Sequence, residues 1–180
     1  MRLESVKALR DLPTPGIAIG GLSVGESTTD MYRILDVLAP EMPQEKPHYL
    51  MGVGTPENLV ESTARGVDMW DCVLPTRLGR HHEVYSSVGN MKLKNAEFKT
   101  SQSYIPCKEG LETYVSQNYT LGYLRHLCQT GEALGNTLLS MHNLEFLIKL
   151  SGQMREAILE GRFEQYRSDF WKDYKAKYVA

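Results

Sequence analysis

Apolar and polar positions come in blocks through the first half of the chain, and the blocks switch between two periodicities. Gly16–Ile19, Pro47–Gly54 and Val67–Leu74 are short runs rich in apolar residues, which is the pattern of buried strands. Between them, residues 27–38 and 55–66 have apolar positions at helical spacing. The pattern therefore predicts strand, helix, strand, helix, strand, joined by short connections.

Such alternation is typical of parallel strands joined by right-handed crossovers. In these folds, ligands and catalytic groups collect where the strands end. The three predicted ends carry Gly20-Gly21-Leu22, Met51-Gly52-Val53-Gly54 and Asp71-Cys72. A strand end holds a carboxylate rigidly over a substrate, which makes Asp71 the leading catalytic candidate. On the pattern alone, an aspartate in that position is more often a helix cap or a turn residue.

The second half of the chain has a different pattern. Glu83–Ser86 and Met91–Lys94 alternate in polarity around Gly89-Asn90, which predicts a β-hairpin. Residues 100–116 are irregular, and helical spacing returns from Asn118 onward. One apolar stripe comprises Leu121, Leu124, Leu127 and Cys128. A second comprises Leu138, Met141, Leu144, Leu147 and Ile148, and is extended by Met154, Ile158 and Phe163.

Composition is that of an ordinary globular protein, with 42% hydrophobic and 23% charged residues in 180. The sequence has no apolar run long enough to span a membrane, and its first residues lack the apolar segment of a secretory signal. The three cysteines, Cys72, Cys107 and Cys128, are odd in number and widely spaced. We therefore expect a reducing, cytoplasmic setting without a disulfide framework.

The charge of −2 does not suggest bulk binding of nucleic acid, but the charge is unevenly distributed. Residues 77–99 contain five basic side chains and two acidic ones. The basic residues are Arg77, Arg80, Lys92, Lys94 and Lys99. Charge alone leaves two interpretations open: a solvated face of the hairpin, or a local patch that binds phosphates.

Five segments, in order, resemble the C-terminal half of the tRNA-guanine transglycosylases, also called queuine tRNA-ribosyltransferases. They are Gly20–Glu26 (GGLSVGE), Tyr49–Pro56 (YLMGVGTP), Asp68–Arg77 (DMWDCVLPTR), Lys94–Ala96 (KNA) and His142–Leu144 (HNL). The similarity extends from about Gly16 to about Phe170. Any one segment is weak, whereas the ordered set is highly specific.

The resemblance implies an α/β fold: the last strands of a (β/α)8 TIM barrel, with a β-hairpin insertion and C-terminal helices. Residues 1–80 would belong to the barrel, residues 81–117 to the hairpin and a degenerate zinc subdomain, and residues 118–180 to the helical segment. The implied enzyme is a pentosyltransferase. It exchanges the guanine at the wobble position of certain tRNAs for a 7-deazaguanine base, as in queuosine biosynthesis.

The resemblance also implies roles for individual residues. Asp71 would be the nucleophile, forming a covalent aspartyl-ribose intermediate of the kind that carboxylates form in retaining glycosidases. Base-binding residues would be Gly20, Gly21, Leu22, Met51 and Gly52. The residues that contact tRNA phosphates would be Arg77, Arg80, Lys92 and Lys94. On spacing alone, Met51 could equally be a core methionine.

The zinc site of the family is altered in this chain. Alignment on Asn118 and His142 puts Leu111, Thr113 and Ser116 where the family has three cysteines. Leucine cannot bind zinc, and neutral hydroxyls are poor ligands for it. We therefore expect no cofactor and no native zinc site, with His142, the one family ligand position that remains, serving as a core or capping residue.

The resemblance covers only the later part of the family barrel, and three strands cannot close a barrel of eight. The expected partners are a tRNA with a wobble guanine, a 7-deazaguanine base, and either a complementing N-terminal half or further copies in a homo-oligomer. Two alternatives remain open. One is a non-catalytic subunit that binds tRNA or dimerises with an active subunit. The other is a generic barrel fragment that acts on a phosphorylated small molecule.

Overall fold

The computed structural model describes residues 1–174, which contain eight α-helices and two small β-sheets. The chain separates into two compact units, Met1–Cys72 and a second that begins at Val73. The division into residues 1–80, 81–117 and 118–180 stays a prediction. None of the helices in the described part of the chain combines the length and apolar character needed to cross a membrane.

The first unit is built around a three-stranded parallel sheet in the order β1-β2-β3. Its elements are α1 (Arg2–Leu9), β1 (Ile17–Ile19), α2 (Thr28–Leu38), β2 (His48–Leu50), α3 (Pro56–Thr63) and β3 (Met69–Trp70). Ile17 pairs with His48, and Tyr49 pairs with Met69. The predicted alternation of strands and helices is therefore confirmed, whereas α1 has no counterpart among the elements that the sequence predicted.

Side-chain caps mark where α2 and α3 begin. The Ser27 hydroxyl accepts from the backbone N–H of Asp30 at 3.1 Å and caps α2. The Thr55 hydroxyl accepts from the N–H of Asn58 at 3.4 Å, and Pro56 occupies the first position of α3. Proline suits that position because its missing N–H has no partner inside a helix. The apolar face of α2 packs with β1 and β2 into one core.

The third predicted strand is shorter and less buried than the sequence indicated. The prediction covered Val67–Leu74, but β3 contains only Met69 and Trp70, and Met69 is 51% exposed. β3 lies at the edge of the sheet, so it pairs on one side with β2. Leu74 is instead the first residue of a helix. Pro75 lies in the first turn of that helix, where proline is well tolerated.

The second unit is mainly helical. Its elements are α4 (Leu74–Arg80), β4 (Glu83–Val84), β5 (Met91–Lys92), α5 (Tyr114–Asn118), α6 (Leu121–Thr130), α7 (Ala133–Leu159) and α8 (Phe163–Asp173). The predicted hairpin is confirmed, with Glu83 opposite Lys92 and Val84 opposite Met91. Its connection is a loop over residues 85–90 and not a tight turn at Gly89-Asn90, because the Ser86 side chain accepts from Val88 N–H and donates to the Gly89 carbonyl.

The two predicted apolar stripes differ in outcome. The stripe on α6 is confirmed, because all four of its residues are buried. The stripe on α7 is only partly confirmed: Leu138 and Met154 are buried, whereas the predicted positions Met141, Leu144, Ile148 and Ile158 are exposed. The buried face of α7 comprises Gly135, Leu138, Leu139, His142, Asn143, Phe146, Leu150, Met154 and Ala157. Two polar residues on that face, His142 and Asn143, explain the rotation, because a hydropathy pattern assigns such residues to solvent.

Candidate active site

Asp71 directly follows β3, and a side chain from the adjacent strand β2 orients it. The hydroxyl of Tyr49, on β2, donates to Oδ1 of Asp71 at 2.6 Å. The backbone N–H of Gly52 donates to the same oxygen at 3.1 Å. Gly52 can turn its N–H towards the carboxylate because it adopts a φ of 77°, which other residues rarely adopt. The carboxylate is exposed and held at two points.

These contacts keep Asp71 charged. The hydrogen bond from Tyr49 and then that from Gly52 N–H lower the pKa of the Asp71 carboxyl below its usual value. The same hydrogen bond raises the pKa of the Tyr49 hydroxyl, because ionising it would bring two negative charges together. At neutral pH, Asp71 is therefore a carboxylate and Tyr49 a neutral donor. An exposed, oriented carboxylate can act as a nucleophile towards an electron-poor carbon.

Met51 lies at the same edge of the sheet. Its backbone N–H donates to the Ile19 carbonyl at 3.1 Å, which joins the ends of β1 and β2. Its side chain is 44% exposed, so Met51 is not a core methionine of this unit. A Cβ added at Gly20 would lie 3.5 Å from the Met51 sulfur, which places the first glycine of the loop after β1 beside the thioether. A flat ligand could contact both.

The loop after β1 is held from one side by Arg2. Its guanidinium donates to the carbonyls of Gly20 at 3.0 Å and Gly21 at 2.7 Å. Leu22 is buried in the core of the unit and anchors the middle of the loop. The loop is therefore held at Gly20, Gly21 and Leu22, and its two glycines carry no side chains.

Glu26 holds the far end of the same loop. Its carboxylate accepts from the backbone N–H groups of Ser23 and Val24. Ser23 has a φ of 65°, which is uncommon for a residue other than glycine and marks a sharply turned backbone. Sequence reasoning assigned no role to Glu26, Arg2 or Tyr49. Only Tyr49 could have been found, because strand alternation puts it on the same face as Met51.

The four predicted phosphate contacts all belong to the second unit. Arg77 and Arg80 are exposed on α4, Lys92 is exposed on β5, and Lys94 follows it. The N–H of Leu93, between the two lysines, donates to the carbonyl of His82 at 2.9 Å, which ties the lysine segment to the end of α4. The structure therefore brings the lysines close to the chain segment that carries the arginines.

Comparison with known proteins decides the family. The family profile described as queuine tRNA-ribosyltransferase matches residues 1–176. The chain belongs to the queuine tRNA-ribosyltransferase family. The queuine tRNA-ribosyltransferase of Ruminiclostridium cellulolyticum is 47% identical over 174 residues, which are 97% of this chain and 46% of that protein. The one from Halothermothrix orenii is 47% identical over 177 residues, 98% of this chain and 47% of that protein.

The family resemblance found in the sequence is thus confirmed, and the chain spans about half the length of the curated relatives it matches. The same extent holds for the queuine tRNA-ribosyltransferase of Janthinobacterium, which is 47% identical over 96% of this chain and 46% of that protein. The relatives are named for an action on tRNA.

The positions that the queuine tRNA-ribosyltransferase resemblance assigns to zinc lie together in the second unit. Thr113 and Ser116 belong to the start of α5, and His142 lies on the buried face of α7. The Thr113 hydroxyl contacts Nδ1 of His142 at 2.7 Å, and His142 has no exposed surface. Leu111 is buried. His142 lies in the core of the second unit.

Proposed function

We propose that this chain carries the nucleophile of a tRNA-guanine transglycosylase and takes part in base exchange at the wobble guanine of tRNA. One observation carries the proposal: the ionised Asp71 carboxylate, held by Tyr49 and Gly52, at the carboxyl edge of a parallel sheet. Family membership supports the reaction class, and the relatives' names support tRNA as the substrate.

The proposed chemistry is a double displacement at C1′ of the ribose. A carboxylate oxygen of Asp71 attacks C1′, the bond from C1′ to the guanine nitrogen breaks, and guanine leaves with the electron pair and gains a proton. The incoming 7-deazaguanine base then loses a ring proton, attacks C1′ and releases Asp71. Both hydrogen bonds to Asp71 end on Oδ1, so Oδ2 can face the sugar.

The exchanged bases would bind between the thioether of Met51 and the backbone of the loop after β1. Met51 offers an exposed, polarizable side chain next to Gly20. The loop also offers the peptide groups of Gly20, Gly21 and Leu22. Arg2 holds this backbone in place by donating to the carbonyls of Gly20 and Gly21. Peptide groups can form hydrogen bonds with the polar edge of a heterocycle, and the thioether can pack against its flat face. Together, these two kinds of contact suit a purine-like base.

The basic residues of the second unit would bind the tRNA backbone. Arg77, Arg80, Lys92 and Lys94 are exposed, and cationic side chains of this kind fix the register of a nucleic acid through its phosphates. Such contacts contribute most of the affinity and make it dependent on salt. The wobble guanine would be selected by the base-binding residues of the first unit.

The three parallel strands would be a sector of a (β/α)8 barrel. A barrel of eight strands needs more than β1, β2 and β3, and the base exchange needs a general acid for the departing guanine and a general base for the incoming base. We propose that a complementing N-terminal half, or further copies of this chain in a homo-oligomer, supplies both. The alternative is a non-catalytic subunit that binds tRNA or dimerises.

Guanine exchange into a tRNA with a wobble guanine distinguishes these possibilities. Labelled guanine is supplied to the full chain alone and to the chain mixed with the N-terminal half of a relative. Exchange in either format supports the enzyme. Specific tRNA binding without exchange in both formats supports the non-catalytic subunit.

The role of Asp71 is tested by trapping the covalent tRNA adduct on a denaturing gel. Asp71→Asn keeps an oxygen for Tyr49 and Gly52 but removes the nucleophilic charge. We expect the adduct to disappear while tRNA affinity is retained. Asp68→Asn is the matched control, because Asp68 accepts from His48 N–H at 2.7 Å and serves the sheet. Undiminished adduct in Asp71→Asn excludes Asp71 as the nucleophile.

A further inference from the structure

The residues at the family zinc positions form a continuous hydrogen-bonded chain in this protein. His142 Nε2 lies 2.8 Å from the carbonyl of Tyr85, and its Nδ1 lies 2.7 Å from the Thr113 hydroxyl. The carbonyl can only accept, so Nε2 carries the proton and Nδ1 accepts from Thr113. The Thr113 oxygen in turn accepts from the N–H of Ser116 at 3.0 Å.

Ser116 completes the chain by bonding back to Thr113. Its hydroxyl accepts from the Thr113 N–H at 2.8 Å and contacts the Thr113 carbonyl at 3.1 Å. This is the reciprocal capping box that begins α5. Thr113, Ser116 and His142 are all buried, and each of their side-chain polar atoms has a partner. Buried networks with every member satisfied stabilise one arrangement of the backbone.

These residues do not fit a zinc ion. Structural zinc sites have four thiolate, imidazole or carboxylate ligands. Here one of the four positions is the aliphatic Leu111, two are neutral hydroxyls, and both nitrogens of His142 already serve hydrogen bonds. In residues 1–174, no three His, Cys, Asp or Glu side chains are grouped to hold a metal ion.

Apolar packing and other hydrogen bonds support the same segment. Leu111 and Val115 are buried on either side of Thr113. The N–H of Tyr114 donates to the Glu145 carboxylate at 3.0 Å, and Lys149, also on α7, donates to the carbonyl of Glu112. Three consecutive residues, Glu112, Thr113 and Tyr114, are therefore each bonded to α7.

We propose that the hydrogen-bonded chain from Tyr85 through His142 and Thr113 to Ser116 replaces the zinc ion of the family and fastens α5 to α7 without metal. Thr113 occupies one of the family zinc positions and its hydroxyl contacts His142, whereas Leu111, at another of these positions, is buried. The replacement concerns the fold of the second unit only. It holds whether or not the chain catalyses base exchange.

The first test uses this chain as purified from medium that contains zinc. We expect metal analysis to find less than about 0.1 zinc per chain, where a native site would give about one. We also expect the same melting temperature with and without a strong chelator. One zinc per chain, together with a melting temperature that the chelator lowers, overturns the proposal.

The second test removes the central hydroxyl. Thr113→Val keeps the shape of the side chain but leaves the His142 Nδ1 and Ser116 N–H without their partner. We expect a melting temperature lower by about 4 °C or more. Thr137→Val is the matched control, because Thr137 is on α7 and its hydroxyl bonds only within that helix. Equal melting temperatures for the two variants contradict the proposal.

The third test restores the ligands. A variant with Leu111→Cys, Thr113→Cys and Ser116→Cys, together with the native His142, should take up about one zinc per chain and melt lower when chelator is added. A folded triple variant that binds no zinc shows that these positions are not equivalent to the family site, and overturns the replacement. If the triple variant is insoluble, the first two tests decide the matter.

Discussion

The hydroxyl of Tyr49 donates a hydrogen bond of 2.6 Å to Oδ1 of Asp71, and this contact orients the proposed nucleophile. The hydrogen bond joins the middle of β2 to the residue that follows β3. Tyr49 pairs with Met69 in the sheet, and Asp71 lies two residues beyond Met69. A carboxylate held in this way loses little freedom when it reacts, because its rotamer is already fixed in the free protein.

Tyr49→Phe should therefore move the pH profile of adduct formation. The hydrogen bond lowers the pKa of Asp71, so its removal raises that pKa. The carboxylate is then protonated at a higher pH, and the acid limb of the profile shifts upward. The measurement is the rate of covalent tRNA adduct formation across the acid range, in the format that shows exchange.

Tyr104→Phe is the control for this change, because Tyr104 is a half-exposed tyrosine in the second unit. It should leave the acid limb where it lies in the parent protein. If Tyr49→Phe also leaves the acid limb unchanged, Tyr49 has no part in setting the charge of Asp71.

Arg77→Ala should weaken tRNA binding and reduce the salt dependence of that binding. Each phosphate contact that is lost lowers the slope of the logarithm of the binding constant against the logarithm of salt by about one. Arg33→Ala is the control, because Arg33 is exposed on α2 and bonded to Asp30 at 3.2 Å. An unchanged slope for Arg77→Ala, measured by filter binding over a salt series, assigns Arg77 to structure.

The parallel sheet could be predicted because local signals agree there. Apolar runs that end in glycine mark β1 and β2, and the capping residues Ser27 and Thr55 mark the helices between strands. The same signals located Asp71, Met51 and the glycine loop at one sheet edge. Local pattern could not show Arg2 or Glu26 in the site, because their contacts depend on the path of a loop over the sheet.

The face of α7 shows where hydropathy fails. Asn143 has no exposed surface; its oxygen accepts from Tyr85 N–H at 2.9 Å, and its nitrogen donates to the carbonyls of Pro75 at 2.9 Å and Glu83 at 3.1 Å. A polar residue with all its hydrogen bonds made inside the protein is stable there. Periodicity counts it as solvent-facing, and therefore rotated the predicted stripe towards Met141 and Ile148.

His142 should make the stability of the protein depend on acid pH. Burial lowers its pKa to about 4, against an unfolded value of about 6.5. Between those values the unfolded chain binds a proton that the folded protein excludes. The free energy of unfolding should therefore decrease as pH falls through this interval, by up to about 3 kcal/mol at its lower end.

Urea unfolding followed by circular dichroism, at several pH values between neutral and the lower end of this interval, measures the effect. The decrease should be smaller in His142→Gln, since glutamine does not titrate. His126→Gln, which alters an exposed histidine on α6, should keep the full decrease. Equal pH dependence in the two variants would assign the acid sensitivity to other groups.

Two helical glycines should respond in opposite ways to alanine. A Cβ at Gly79, on α4, would lie 2.6 Å from the Ser140 hydroxyl oxygen and 2.7 Å from the Ser140 backbone nitrogen, so α4 and α7 cannot keep their spacing. We expect Gly79→Ala to lower the free energy of unfolding by about 1–3 kcal/mol.

A Cβ at Gly152, on α7, meets nothing within 4 Å, so Gly152→Ala should raise the free energy of unfolding by about 0.5–1 kcal/mol. Urea unfolding of both variants measures the difference. A neutral Gly79→Ala would mean that α4 can move away from α7 at little cost, and that this close approach does not fix the position of the helix carrying Arg77.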